Sequence, residues 1–285
     1  MSFDLIVQGE DIATADLKKL HALSSASGIA RIDAVAHQAF RLLDVDADPA
    51  SRERVARHCE TSQVDFAFMP SAKRLADYGL LAMDMDSTLI TIECIDEIAD
   101  FTGKKAEVAA ITASAMRGEI DWPESLRQRV ALLKGLDESV LQRVYDERLK
   151  LSPGAETLIT AAKKNSIKLL LVSGGFTFFT DRLKAKLGLD FAFSNSLEVV
   201  GGKLTGKVAG PLCDAVAKAK HLQDVADALS LSREQCIAIG DGANDLKMLA
   251  AAGLSIAYHA KPVVRALADV AINKRGLDAV VALLS

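Results

Sequence analysis

The feature that most constrains the fold is the alternation of short apolar runs with helical patterns after residue 79. Three of these runs, GLLAM, IKLLLV and CIAIG, are apolar at almost every position, which is typical of strands buried on both faces. Helical patterns separate the runs, so successive strands are expected to be parallel and joined by right-handed crossovers. The sequence therefore predicts an α/β fold with a Rossmann-like parallel sheet.

Two other regions have different patterns. Residues 94–150 contain four successive helical patterns with little strand character, which predicts a helical bundle inserted into the sheet domain. Residues 1–78 show strands alternating with two helices, which predicts a small α+β domain with both helices on one face of a sheet. We therefore expect two domains, 1–78 and 79–285, the second interrupted by the helical insertion at 94–150.

The composition excludes several classes of protein. Half of the 285 residues are hydrophobic and a quarter are charged, as in ordinary globular proteins. The formal net charge of −4 argues against a nucleic-acid-binding protein, which is usually basic. No apolar run approaches the roughly 18 residues needed to span a bilayer, and no basic signal peptide is recognisable. We expect a cytoplasmic protein, with free cysteines, that binds neither membranes nor nucleic acid.

Three of the apolar runs end in residues that suit a metal ion or a phosphate group. Asp84 and Asp86 follow the first run, Ser173 and Gly174 follow the second, and DGAND (241–245) follows the third. The carboxyl ends of parallel strands open onto one crevice, so these residues should lie together. Mg²⁺ takes carboxylates, water and substrate phosphate, and a carboxylate beside it can attack phosphorus. The sequence thus predicts a Mg²⁺-dependent site for phosphoryl transfer.

The same strand ends resemble the motifs of the haloacid dehalogenase-like phosphatases. DMDSTL, which begins at Asp84, is similar to their first motif, DxDx(T/V), and SGG is similar to the second. Lys218 in AVAKAKH is the candidate for the third, basic motif, and GDGAND is similar to the fourth. Together with SLRQRV, LVSGGF and KLTG, these stretches resemble the phosphoserine phosphatases in particular. The resemblance covers about 79–285, and the insertion at 94–150 is similar to the small cap of that superfamily.

The resemblance implies a role for each matching residue. Asp84 would be the nucleophile that becomes phosphorylated, and Asp86 the acid–base group that protonates the departing hydroxyl and then activates water. Asp84, the backbone carbonyl of Asp86 and Asp241 would hold Mg²⁺, with Asp245 close behind. The phosphate group of the substrate would be bound by Ser173, Gly174, Lys218 and Asn244.

The cap would select the substrate. Glu93 would pair with an amino group, and Arg129 in SLRQRV would make a bidentate contact with a carboxylate. Met116 and Trp122 would form walls of the pocket, although the family more often has Phe at the position of Trp122. One charge of each sign fits an amino acid. The implied reaction is Mg²⁺-dependent hydrolysis of O-phospho-L-serine to L-serine, the last step of serine biosynthesis.

Other functions use similar residues. A phosphotransferase would form the same aspartyl phosphate and pass the group to an alcohol such as homoserine. A phosphatase of another small phosphoester would leave Glu93 unpaired, and an amino-acid sensor with an inactive catalytic domain would lack the nucleophile. Residues 1–78 resemble an ACT-type regulatory domain in the order of their elements. The alternative is a packing or dimerisation module without a ligand, and dimerisation would give a homodimer.

Overall fold

The computed structural model describes residues 2–285, apart from the side chain of Met116, and its N-terminal part forms a four-stranded sheet. The elements there are β1 (Phe3–Gly9), α1 (Thr14–Leu23), β2 (Gly28–Ile32), β3 (Gln38–Leu43), α2 (Pro49–Thr61) and β4 (Asp65–Pro70). The strand order is β2-β3-β1-β4 and every neighbouring pair is antiparallel. This βαββαβ order and strand arrangement is that of a ferredoxin-like fold.

The remainder of the chain forms a seven-stranded sheet with helices around it. Its elements are β5 (Leu80–Met83), α3 (Cys94–Asp100), α4 (Lys105–Met116), α5 (Trp122–Ala131), α6 (Ser139–Glu147), α7 (Ala155–Lys164), β6 (Lys168–Phe176), α8 (Thr177–Leu187), β7 (Phe191–Val200), β8 (Lys203–Ala209), α9 (Ala215–Ala228), β9 (Cys236–Gly240), α10 (Leu246–Ala251), β10 (Leu254–Tyr258), α11 (Pro262–Leu267), β11 (Val270–Ile272) and α12 (Ala279–Leu283). The strand order is β11-β10-β9-β5-β6-β7-β8, and all pairs are parallel except the hairpin β7–β8. The predicted mostly parallel α/β sheet is thus confirmed.

Strand β5 lies at the centre of this sheet, between β9 and β6. All four of its residues are buried, because helices cover both faces of the sheet. Later strands are added on both sides of β5, so their carboxyl ends border a crevice at this point. The fold thereby brings the polar strand ends of the sequence to one place.

The helices α3–α6 form a separate layer between β5 and β6 in the chain. The two chain segments that connect this layer to the sheet lie side by side. Thr91 N–H donates to Lys150 O (3.0 Å), and Ser152 N–H donates to Leu89 O (2.9 Å). The far end of the layer is held by the β7–β8 hairpin, where Gly135 N–H donates to Leu204 O (2.8 Å). The helical layer therefore covers the crevice and is anchored on two sides.

The N-terminal sheet has packing partners on both faces, although most of its edge strand β2 is exposed. One face packs against α1 and α2, and the other places Ile6 and Met69 in the same apolar cluster as Leu277 and Leu283. Polar contacts join the same two parts of the chain at a contact that we call the seam. The seam comprises Gln8, His37, Arg41 and Asp65 of the N-terminal part and residues 273–285 opposite, together with Asp4, which accepts a hydrogen bond from Arg41 behind this contact. The segment before β5, which has a polar composition typical of a linker, buries Leu75 and Tyr78 in this packing.

Candidate active site

Asp84 lies directly after β5, at the base of the crevice. Its backbone N–H donates to Ile239 O (3.0 Å), which fixes it between β5 and β9. Its Oδ1 accepts the Met85 N–H (2.7 Å) and lies 2.8 Å from Lys218 Nζ. Both contacts use Oδ1, so Oδ2 has no hydrogen-bond donor among residues 2–285 and faces the cavity. One oxygen is anchored and the other is available to react.

Three carboxylates meet at this point. Oxygens of Asp84, Asp241 and Asp245 all lie within 4.8 Å of one another. The fully buried Lys218 Nζ contacts two of them, at 2.8 Å from Asp84 and 2.7 Å from Asp245. Three negative groups therefore share one ammonium group. This donor set, oxygen-only and with excess negative charge, could bind a divalent metal ion.

The crowding changes the protonation of these groups. Burial, and next the charge of Asp245, raises the pKa of Asp84 well above its usual range. The same two causes raise the pKa of Asp241 to about 7, despite the Thr88 hydroxyl that donates to it at 3.1 Å. Burial alone would lower the pKa of Lys218, but Asp245 and Asp84 outweigh it, and Lys218 stays charged. A bound divalent cation would supply the positive charge that these carboxylates lack.

Asp86 occupies the next turn of the same loop. Its Oδ1 accepts the N–H of Cys94 (3.2 Å), the first residue of α3. Burial, and then the charge of Glu93, raises the pKa of Asp86 to about 7. A Cβ on Gly175 would lie 2.7 Å from Asp86 Oδ2, so this carboxyl can approach strand β6 only because residue 175 is glycine. A carboxyl group with this pKa can donate a proton in one step and accept one in the next.

The end of β6 offers groups for a phosphate. Ser173 is fully buried, and its Oγ accepts the N–H of Gly175 (2.8 Å). The carbonyl of Gly174 accepts a hydrogen bond from Asn195 Nδ2 (2.8 Å), while Asn195 Oδ1 accepts the Cys213 N–H (2.8 Å). Asn195, which sequence reasoning did not single out, thus fixes the Gly174 peptide. The sequence feature that could have indicated Asn195 is its polar amide within the strand FAFSNS.

A cavity of about 570 Å³ lies between these strand ends and the helical layer. Nine residues expected at the site line it: Asp84, Asp86, Glu93, Trp122, Arg129, Ser173, Gly174, Asp241 and Asn244. Two more, Lys218 and Asp245, lie beneath it with no exposed surface. Asp245 Oδ2 accepts the Asp241 and Gly242 N–H groups (3.2 and 3.0 Å), so this residue shapes the floor of the cavity. Met116 ends α4, and its side chain lies outside the described part of the structure.

The helical layer contributes charges of both signs. Glu93 Oε1 accepts the Ser87 hydroxyl (2.8 Å) at one side of the cavity. Arg129 Nε donates to Ser125 O (3.3 Å), and within the described residues its guanidinium has no carboxylate within 4.0 Å. Trp122 lies against the strand end, since a Cβ on Gly174 would be 2.7 Å from its ring. The layer thus presents a carboxylate, a free guanidinium and an aromatic wall to the cavity.

Sequence reasoning missed four charged residues that also line the cavity, namely Asp96, Asp214, Lys247 and Lys261. Lys261 follows β10, and its N–H donates to Asp241 O (3.2 Å), so applying the strand-end rule to a fourth strand finds it. Asp96 is three residues after Glu93, a spacing that places both on one side of α3. The signals for Asp96 and Lys261 were therefore present in the sequence.

Comparison with known proteins places the chain in a family. Residues 78–253 match the haloacid dehalogenase-like hydrolases, and residues 5–55 match a domain of unknown function, DUF4072. A phosphoserine phosphatase from Polaromonas sp. is 58% identical over 210 residues, which cover 72% of this chain and 89% of that protein.

Solved structures agree over the whole length. A haloacid dehalogenase family hydrolase from Salmonella enterica serovar Typhi has a TM-score of 0.89 at 36% identity and covers 100% of this chain and 99% of its own. A probable phosphoserine phosphatase from Vibrio cholerae has a TM-score of 0.83 at 39% identity, with coverages of 99% and 86%. Within residues 2–285, the helices are all too short or too polar to cross a membrane. The chain belongs to the haloacid dehalogenase-like hydrolases and, among them, to the phosphoserine phosphatases.

Proposed function

We infer that this chain hydrolyses O-phospho-L-serine to L-serine and phosphate through an aspartyl-phosphate intermediate. The observation that carries this inference is the asymmetry of Asp84, whose Oδ1 is held by Lys218 and the Met85 N–H while Oδ2 faces the cavity. An anchored carboxylate with one free oxygen is a suitable nucleophile toward phosphorus. The phosphoserine phosphatase relatives support the same substrate.

In the first step, Asp84 Oδ2 forms a bond to phosphorus and the bond from phosphorus to the serine Oγ breaks. Asp86, protonated at the start because its pKa is raised to about 7, gives its proton to the leaving oxygen. In the second step, Asp86 takes a proton from water, and that water's oxygen displaces Asp84 from phosphorus. Asp86 is thereby protonated again, and both carboxyl groups return to their starting states.

The metal ion is proposed to be Mg²⁺, held by Asp84, Asp241 and the backbone carbonyl of Asp86, because the donors are hard oxygen atoms. Its positive charge would offset the repulsion between the carboxylate nucleophile and the anionic phosphate. Asp245 would act from beneath, through its contact with Lys218. The phosphate oxygens would be bound by Ser173, Gly174, Lys218 and Asn244.

The cap side of the cavity would recognise the amino acid. Glu93 would bind the ammonium group, and Arg129 would bind the carboxylate as a two-pronged donor. Trp122, and with it Met116, would close the apolar side. A substrate with no ammonium group would leave Glu93 without a partner, which disfavours other small phosphoesters.

Arg129→Ala tests this assignment. We expect KM for O-phospho-L-serine to rise at least about thirtyfold, or ~2 kcal/mol, while KM for p-nitrophenyl phosphate stays within about twofold. Arg127→Ala is the matched control, because Arg127 is two residues away on the same helix but exposed and paired with Glu124 at 3.7 Å. Equal effects of Arg129→Ala on both substrates would show that Arg129 does not bind the carboxylate.

We also propose the wider arrangement of the chain. Residues 79–285 would be the catalytic domain with its cap at 94–150, and residues 1–78 an ACT-like domain, as the ferredoxin-like strand order supports. The enzyme would act in the cytoplasm on a small substrate and bind no nucleic acid. Pairing of two copies would use the N-terminal domain.

A further inference from the structure

We propose that Asp96 is a positioning residue, whose negative charge orients the Arg129 guanidinium so that it binds the carboxylate of the substrate. The proposal rests on the proposed function and adds a residue that sets the preference for amino-acid phosphoesters. Both side chains line the same cavity, Asp96 from the first turn of α3 and Arg129 from the last turn of α5.

Asp96 differs from the acidic residues beside it on α3. Glu97 and Asp100 face away from the cavity and have partners, since Arg148 lies 3.7 Å from Glu97 and 3.5 Å from Asp100. Asp96 is half-buried, and within the described residues its carboxylate accepts no hydrogen bond and has no cation within 4.0 Å. A carboxylate that is partly removed from water and has no partner in the protein is stabilised by a nearby positive group.

Arg129 is the cation whose charge acts most strongly on Asp96, ahead of Lys105. Its Nε–H is used by Ser125 O, but the four N–H groups on its two terminal nitrogens have no acceptor in the described structure. Burial lowers the pKa of Arg129, and among the charges that oppose this effect Asp96 is the strongest, ahead of Glu93. A guanidinium can bind two carboxylates on different edges. In this structure the Asp96 carboxylate lies more than 4.0 Å from the guanidinium, so its charge attracts Arg129 while the guanidinium edges stay open to the substrate.

Glu93 is left to bind the ammonium group. Its carboxylate is oriented by the Ser87 hydroxyl at 2.8 Å, and it raises the pKa of Asp86, so it lies on the side of the cavity where chemistry occurs. The two acids on this side of α3 would therefore have separate tasks. Glu93 contacts substrate, whereas Asp96 acts through Arg129.

The test uses Asp96→Asn in the full chain with two substrates. O-phospho-L-serine has both the carboxylate and the ammonium group, and O-phosphoethanolamine keeps only the ammonium group. We expect Asp96→Asn to raise KM for phosphoserine about tenfold, with kcat within about twofold and KM for phosphoethanolamine unchanged. Glu97→Gln, which changes the neighbouring acid outside the cavity, is the matched control and should leave both KM values unchanged. The melting temperature of each variant, measured in parallel, monitors folding.

A second arm combines Asp96→Asn with Arg129→Ala. If Asp96 acts through Arg129, the double variant has the same KM for phosphoserine as Arg129→Ala alone, within about twofold. A tenfold rise in KM that persists in the Arg129→Ala background, or that also appears with phosphoethanolamine, would show that Asp96 binds the ammonium group. Either result would overturn the proposal. Unchanged kinetics of Asp96→Asn beside an active wild type would also overturn it. Absence of phosphoserine hydrolysis by the wild type would instead refute the proposed function and, with it, this inference.

Discussion

Buried carboxylates occur in two regions of this molecule, the active-site cavity and the seam, and their environments are opposite. In the cavity, burial and neighbouring carboxylates raise the pKa of Asp84, Asp86 and Asp241. In the seam, burial of Asp4 is outweighed by the hydrogen bonds from Arg41 and Asp44, and its pKa is lowered. The pKa of Asp278 is lowered chiefly by its hydrogen bond with His37.

The reason for the difference is the number of donors. Asp4 accepts from Arg41 Nη1 (2.9 Å), the Asp44 N–H (3.1 Å) and the Ser71 hydroxyl (2.9 Å). Asp65 accepts three backbone N–H groups, from residues 273–275, at 2.8–2.9 Å. Seam carboxylates therefore have their oxygens satisfied inside the protein. The cavity leaves Oδ2 of Asp84 without a donor, as expected where a ligand completes the set.

The two sets have opposite effects on stability as pH changes. A carboxyl group whose pKa is lowered by folding stabilises the protein above its unfolded pKa, and this contribution is lost as pH falls through the folded pKa. A carboxyl group whose pKa is raised contributes fully below its unfolded pKa, and that contribution is lost as pH rises through the folded value, about 7 for Asp86 and Asp241. At neutral pH the seam stabilises the fold and the metal-free cavity destabilises it.

The largest effect, a loss of activity without a loss of stability, is expected from Asp84→Asn in the cavity. This change removes the nucleophile, so turnover should fall at least about 10⁴-fold. It also removes one of three crowded carboxylates while Lys218 keeps its contact with Asp245 (2.7 Å), so the metal-free protein should melt no lower than the wild type. Phosphate release and thermal denaturation measure the two effects. Labelled phosphate trapped on the variant protein would show that Asp84 is not the nucleophile.

The opposite result, a loss of stability without a loss of activity, is expected from Asp65→Asn in the seam. An amide has one acceptor oxygen where the carboxylate has two, so backbone N–H groups among residues 273–275 lose their partner. We expect the free energy of unfolding to fall by about 2–4 kcal/mol, with kcat within about twofold below the melting transition. Urea denaturation beside Asp33→Asn, an exposed control, measures this. A loss of activity without a loss of stability would reverse the roles given to the two regions.

Metal binding should depend on pH through Asp241. Because its pKa is raised to about 7, a proton must leave before this carboxylate can bind a cation. Asp84, the other carboxylate of the site, also has a raised pKa. Between pH 7 and pH 5, Mg²⁺ affinity should therefore fall at least about tenfold per pH unit. At 100 times Kd the ion should add about 2.7 kcal/mol of stability. Titration calorimetry at several pH values measures the slope. Asp241→Asn is the control, and an unchanged affinity over this range would contradict the shared-carboxylate site.

The smallest effect is expected from Asp278→Asn. At pH 7 the loss of the contact with His37 (3.1 Å) should lower the free energy of unfolding by about 1 kcal/mol. The difference from the wild type should shrink as pH falls through the lowered pKa of Asp278, because the carboxyl group is then protonated in both states. Denaturation curves at pH 7 and at successively lower pH provide the comparison. A constant difference would mean that packing, not charge, is lost.

The sequence predicted the cavity better than the seam for a physical reason. Strand topology alone brings Asp84, Ser173 and Asp241 to one edge of a parallel sheet, so short motifs were sufficient to find them. Asp65 meets residues more than 200 positions later, and no local pattern indicates that contact. Asp245 lies beneath the cavity because its carboxylate accepts the N–H of Gly242 in the same loop. The spacing of residues in the sequence does not reveal this hydrogen bond.

Phosphate release by the wild type from O-phospho-L-serine, measured with and without a chelator, decides whether this cavity hydrolyses phosphoserine with the help of a metal ion. L-phosphothreonine and phosphoglycolate serve as competitors, and homoserine is added as an alternative acceptor. We predict metal-dependent release that favours phosphoserine by about a hundredfold in kcat/KM, or ~2.7 kcal/mol, with water as the acceptor. Transfer of the phosphoryl group to homoserine would contradict hydrolysis while keeping the nucleophile. No turnover of any substrate would contradict the account of the cavity itself.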